Sequence, residues 1–200
     1  MSDSQPRFRS LELAACGWSP ADWQRMFYPE DLPGDWRVSY YANEFACVLL
    51  PATAWENPSV QATFWQAEVQ PDFRFYLEIT PQLLQGEHWQ KVRGAVEKYL
   101  SPQVEGVLLT TDTAEALPSD WQTHFPMHVQ QPNDWLAVMP VNAEVQTAVL
   151  RANQPLTPQA LRQIFEHLQI QAGHPDVILF LDVPWGTVEH LRLMQQLYGV

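Results

Sequence analysis

Seven apolar runs of strand length, most of them separated by helix-like segments, constrain this chain more than any other feature. They are 11–16 (LELAAC), 46–51 (ACVLLP), 73–79 (FRFYLEI), 104–110 (VEGVLLT), 127–131 (MHVQQ), 135–141 (WLAVMPV) and 177–183 (VILFLDV). Near-continuous apolar strands belong to a parallel sheet covered on both faces, and β-α alternation means an α/β fold. The segments between carry helix punctuation. Thr157 and Pro158 stand at cap and first-turn positions, Leu161, Ile164, Phe165 and Leu168 follow at helical spacing, and Gly173 lies just past the end. Similar starts occur at Ser19-Pro20, Asn57-Pro58 and Thr187, and a last helix carrying Val188, Leu191, Met194 and Leu197 is expected to pack against the sheet.

Open sheet and barrel make different demands. No Gly-rich phosphate turn with an acidic ribose partner follows the first run, which argues against a dinucleotide-binding sheet. A (β/α)₈ barrel typically takes ~250 residues with a floor near ~200, so this chain would be a pared-down example. Only Pro132, Asn133 and Asp134 separate the fifth and sixth runs, too few for a parallel crossover of about 10–12 residues. There the chain must bulge, run on or form a hairpin. From Asn142 to Val177 helix is evident but no strand is, so the second half has a missing or irregular strand. We expect a flexible start over 1–10 and a single domain over 11–200.

Composition narrows the function classes. The net charge is −12 and no block of Lys or Arg interrupts it, so the field repels phosphate backbones and anionic lipid. Neither nucleic acid nor membrane is an expected partner. The opening MSDSQPRFRS lacks the apolar core of a signal peptide and no run approaches a membrane span, which points to the cytoplasm. Cys16 and Cys47, each in an apolar run, make neither a disulfide framework nor a zinc site and read as buried reduced thiols. The six histidines are scattered, mostly at expected surface positions, and no metal or other cofactor is called for. No Gly-x-Ser-x-Gly elbow is present.

The phrase Pro-x-Asp-Trp occurs four times, starting at Pro20, Pro33, Pro118 and Pro132. Proline sets a turn or first helical position, and a carboxylate there accepts from backbone N–H groups just ahead. Asp22, Asp35, Asp120 and Asp134 are thus expected as turn or cap residues, with Trp23, Trp36, Trp121 and Trp135 roofing the core.

Taken whole, GWSPADWQRMFYP, VSYYANEFACVLLP and FRFYLEI resemble the N-terminal signature of the YecE-like family, catalogued as a domain of unknown function, number seventy-two. Trp23, Phe27, Tyr28, Pro29, Tyr41, Ala42, Phe45, Phe73 and Phe75 stand at matching places over about the first 80 residues. The resemblance implies a TIM-type barrel without a known activity, and makes Trp18, Tyr28, Tyr41 and Asn43 cleft or near-cleft candidates. The chain also departs from the family pattern. Leu49 stands where an acidic residue is usual in the second strand, Glu78 where a lysine is usual at the end of the third, and QQPNDW where an Arg-His-like pair is usual after the fifth.

In a barrel, active groups sit at the C-terminal ends of the strands and on the loops that follow. That rule selects Trp18, Thr53, Trp55, Glu78, Thr80, Thr111, Asp112, Gln130, Gln131, Asp182 and Trp185. Glu78, Asp112 and Asp182 are the candidate catalytic carboxylates. Trp18, Tyr28, Tyr41, Asn43, Trp55, Gln130 and Trp185 are the candidate ligand contacts. Indole plates with carboxylates and amides suit a small neutral polar metabolite. The alternatives are a hydrolase or lyase working through two of the carboxylates, and a protein-interaction module using the seam of an incomplete barrel.

Overall fold

A computed structural model describes residues 9–18, 22–130, 137–138 and 144–200. In chain order the elements are β1 (Ser10–Cys16), α1 (Trp23–Met26), α2 (Arg37–Glu44), β2 (Cys47–Leu50), α3 (Pro58–Glu68), β3 (Arg74–Glu78), α4 (Gly86–Ala95), β4 (Val104–Thr110), α5 (Thr111–Ala116) and α6 (Ser119–His124). Then follow β5 (Met127–Gln130), β6 (Ala137–Val138), β7 (Gln146–Arg151), α7 (Pro158–Gln171), β8 (Asp176–Asp182) and α8 (Trp185–Tyr198). The strands form one sheet in the order β6-β5-β4-β3-β2-β1-β8-β7. Seven pair in parallel; β6 alone runs antiparallel, against β5. Among the described residues the barrel is closed everywhere except between β6 and β7. The expected pared-down TIM-like barrel is therefore present, with its irregularity where the chain is too short for a crossover.

The alternation of each strand sorts its residues into two cores. Leu13, Ala15, Val48, Leu50, Phe75, Leu77, Val107, Leu150 and Leu179 point outward into the layer shared with the helices. Ala14, Cys47, Leu49, Tyr76, Leu108, Val149, Ile178 and Phe180 fill the interior. Both faces are buried, which explains the near-continuous apolar runs. Leu49 is one of the fully buried interior residues.

The strand hidden in the second half is β7. Only Ala148–Leu150 form an apolar run there, because its inward positions carry Thr147 and Arg151, so an apolar-run criterion passes over it. The 135–141 run contributes only the two-residue β6 among the described residues. Helix readings hold at α7, where Thr157 accepts from the Ala160 N–H at 3.2 Å and Leu161, Ile164, Phe165 and Leu168 are buried. They hold also at α3, which starts on Pro58. In contrast, α8 starts at Trp185, and Thr187 is a buried residue whose hydroxyl accepts from the Leu156 N–H at 3.0 Å rather than a cap. On that helix Val188 and Leu191 are buried while Leu197 is exposed. The Ser19-Pro20 start and the Pro132 copy of Pro-x-Asp-Trp lie outside the described residues. So do most of residues 1–10; the described end of that stretch is tied down, with Ser10 in β1 and Arg9 bonded to Asp176 at 2.7 Å. Among the described residues no helix is long and apolar enough to cross a membrane.

At Asp22-Trp23 and Asp120-Trp121 the Pro-x-Asp-Trp phrase is scaffold, though not by local capping. Trp23 and Trp121 are buried in the core, and Trp36 is exposed. No side-chain cap forms at α1 or α6. Asp22 instead reaches across the fold to accept from the Trp185 N–H at 2.9 Å, while the Trp23 indole donates to the Val183 carbonyl at 2.9 Å. Together they clamp α1 onto the β8–α8 turn. Asp120 pairs with Arg93.

Candidate functional site

Parallel strands deliver their last inward-facing residues to one end of the barrel: Cys16, Glu78, Thr110, Gln130, Arg151 and Asp182. The Arg151 guanidinium donates to the Glu78 carboxylate at 2.5 Å. In the sheet order three strands separate β3 from β7 on either side, so this ion pair spans the diameter of the mouth. Glu78 also accepts from the Ala52 N–H at 3.4 Å, which fixes its carboxylate against the β2–α3 turn. Asp182 sits beside Arg151 in the β7–β8 register. Among the described residues, the strand ends at the mouth therefore carry two carboxylates and one guanidinium. Arg151 is 42% exposed, so water screens the pair and its worth to stability is about 1 kcal/mol or less.

Cys16 lies beneath these charges. Burial pushes its thiol far above the ordinary range; Arg151 pulls it down by less, and Asp182 and Glu78 push it further up. A thiol held protonated in this way is not a nucleophile. The second thiol, Cys47, is buried and donates to Glu12 at 3.3 Å.

The other candidates divide sharply. Gln130 ends β5 opposite Thr110, at the mouth. Asp112 stands in the first turn of α5, immediately beyond β4. Gln131 lies outside the described residues. Tyr41, Trp55 and Trp185 are buried core residues rather than cleft residues. The Tyr41 hydroxyl is built into the barrel wall, accepting from the Ala15 N–H at 2.8 Å and donating to the Cys47 carbonyl at 2.9 Å. Trp55 packs on Trp65, and Trp185 on Trp23 and Phe27. Tyr28 is buried and donates to the Trp18 carbonyl, holding the turn after β1. Asn43 is exposed at the opposite end of the barrel, because α2 ends where β2 begins, and accepts from Gln70 at 3.0 Å. Arg151 is the mouth residue that sequence reasoning missed, because its strand was missed; an arginine closing an apolar triplet was the available signal.

Two recesses flank the mouth. One, of about 330 Å³, is lined by Asp22, Asn153, Pro155 and Asp182 among others. The other, of about 450 Å³, lies between the turn after β1, the start of α2 and the β2–α3 stretch, with Trp18, Arg37 and Trp65 in its walls. Gly17 makes that turn with φ of 76°, a conformation that side chains rarely adopt. Among the described residues no group of three or more His, Cys, Asp or Glu is placed to hold a metal ion.

Comparison with known proteins agrees with this architecture. Two crystal structures of a DUF72 family protein from Enterococcus faecalis V583 superpose with TM-scores of 0.59 and 0.61, at 15% and 14% identity. The first covers 96% of each chain; the second covers 97% of this chain and 99% of that one. At such identity the likeness shows the fold alone. No curated protein matches the chain. The family model described as "Protein of unknown function DUF72" matches residues 12–117, more than half of the chain, and the chain belongs to that family.

Proposed function

We propose that this protein binds a small neutral polar molecule at the C-terminal mouth of its barrel, with catalysis weak or absent. The observation that carries the reading is the Glu78–Arg151 pair laid across the mouth with Asp182 beside it. Carboxylates accept from hydroxyl and amide donors, while the guanidinium offers donors to the ligand's acceptors. Among the described residues the Arg151 charge is matched by Glu78, and Asp182 adds a negative one, so a neutral polyhydroxyl or amide ligand suits the mouth better than an anion. Gln130, at the end of β5, extends the same face.

The test is a thermal-shift screen of wild type against neutral sugars, polyols and nucleosides, repeated with Asp182→Asn and Arg151→Met. A ligand at about 100 times its Kd adds about 2.7 kcal/mol, several degrees for a domain of this size. Stabilisation of wild type that both variants lose supports the reading. Stabilisation that both retain places the ligand elsewhere. Turnover of a hit that Asp182→Asn abolishes while still binding would favour a hydrolase or lyase instead.

A further inference from the structure

The recess beside Trp18 has a chemistry unlike that of the mouth. None of its lining residues carries a carboxylate, and its walls are largely apolar: Val38, Pro51, Phe64 and Trp65. Two donors on the lining residues, the Trp18 indole Nε1 and the Arg37 Nε, are buried without an acceptor. Buried polar groups are satisfied in the great majority of native sites, so two orphans on one recess call for an explanation. Trp55 and Trp89 also carry unpartnered indole N–H groups, but neither lines this recess. Arg37 has its guanidinium over the Tyr28 ring at 5.7 Å and no carboxylate partner among the described residues. Trp18 is fixed in place, stacked on Phe73 and edge-on to Tyr41.

We infer that this recess is a binding site for a small monocarboxylate, whose two oxygens accept from Trp18 and Arg37 and whose apolar body rests against Phe64, Trp65 and Val38. Both orphans are donors, so the occupant must bring acceptors; one is a guanidinium, so a negative charge is favoured. A guanidinium N–H and an indole N–H together can serve the two oxygens of a carboxylate. A singly charged ligand is also the less opposed by a chain of net charge −12. A recess of about 450 Å³ is of the size that takes small molecules. This recess borders the mouth at Cys16, and the assignment does not rest on the mouth binding anything.

The test uses benzoate and hexanoate as probes, with benzamide and hexanamide as uncharged counterparts, titrated calorimetrically into the full chain. Wild type is expected to bind the carboxylates and not the amides. Arg37→Gln should weaken carboxylate binding by roughly tenfold or more, and Trp18→Phe, which removes the N–H and keeps a ring, by a smaller factor. Arg37 is half-buried at a helix start, so Arg37→Gln keeps the test usable if Trp18→Phe fails to fold. Glu12→Gln, at the other end of the barrel, should leave carboxylate affinity unchanged. Equal binding of amides and carboxylates, undiminished binding to Arg37→Gln, or no binding to wild type would overturn the assignment.

Discussion

Arg151 and Glu78 join strands that lie on opposite sides of the barrel, and their ion pair crosses the mouth at 2.5 Å. Each residue is the last of its strand, so the sheet itself aims both side chains. The pair makes a polar floor above an interior packed with Phe180, Tyr76 and Leu49.

Because solvent reaches the pair, Arg151→Met should destabilise the fold by only about 1 kcal/mol or less. Urea titration at low and high salt checks this. The difference from wild type should shrink as salt rises, since a screened pair has less to lose.

Tyr41 carries more of the fold than any mouth residue. Its hydroxyl stands between β1 and β2, whose own register pairs only Ala15 with Val48 and Cys16 with Leu49. Burial pushes the hydroxyl well above the ordinary phenol range, so it remains a donor. Tyr41→Phe leaves the Ala15 N–H and the Cys47 carbonyl inside the wall without a partner, at a cost of roughly 2–3 kcal/mol. Urea denaturation of this variant should show a lower midpoint with an unchanged slope.

Gly106 is needed for closeness rather than for conformation. A Cβ there would stand 2.9 Å from the His128 ring and 3.1 Å from the Pro126 carbonyl. Gly106→Ala is expected to cost about 1–3 kcal/mol. Adding His128→Ala should recover part of that loss and no more, because the Pro126 carbonyl is backbone. A double-mutant cycle measures the coupling.

His128 makes stability depend on pH. It is buried inside the barrel beside Tyr76, its Nδ1 has no partner, and burial lowers its pKa from 6.5 to about 4. Below pH 6.5 the unfolded chain takes up a proton that the folded chain refuses, so the unfolded state holds more protons across the window from 6.5 to about 4. Stability is therefore complete above that window and falls as pH drops through it, by roughly 3 kcal/mol from this group. His128→Leu should flatten the midpoint against pH between those limits.

Much of the fold was legible because burial on both faces leaves apolar runs, and six of the seven runs are parallel strands within a residue or two. What escaped was β7, whose inward residues Thr147 and Arg151 are polar, and with it the basic half of the mouth. The strand-end positions of Glu78 and Asp182 were legible because a strand-end rule needs only the strand boundary. The aromatic candidates fared differently for a physical reason. Trp and Tyr bury their rings and still satisfy a polar tip, so sequence cannot separate Tyr41 or Trp185 in the core from Trp18 at a recess. Asn43, a cleft candidate by resemblance, is exposed near the end of α2, where β2 begins, on the far rim of the barrel. Asp22 was expected to bond locally and bonds to Trp185 instead, a pairing that no local rule contains.

The most direct measurement is a calorimetric titration of the best neutral polar hit into wild type, Arg151→Met and, as a control at the other end of the barrel, Glu12→Gln. Glu12 pairs with Arg74 at 2.6 Å, far from the mouth. Binding that falls tenfold or more in Arg151→Met, about 1.4 kcal/mol, and is unchanged in Glu12→Gln is the expected result. Binding equally strong in all three proteins would contradict a ligand seated on the Glu78–Arg151 floor.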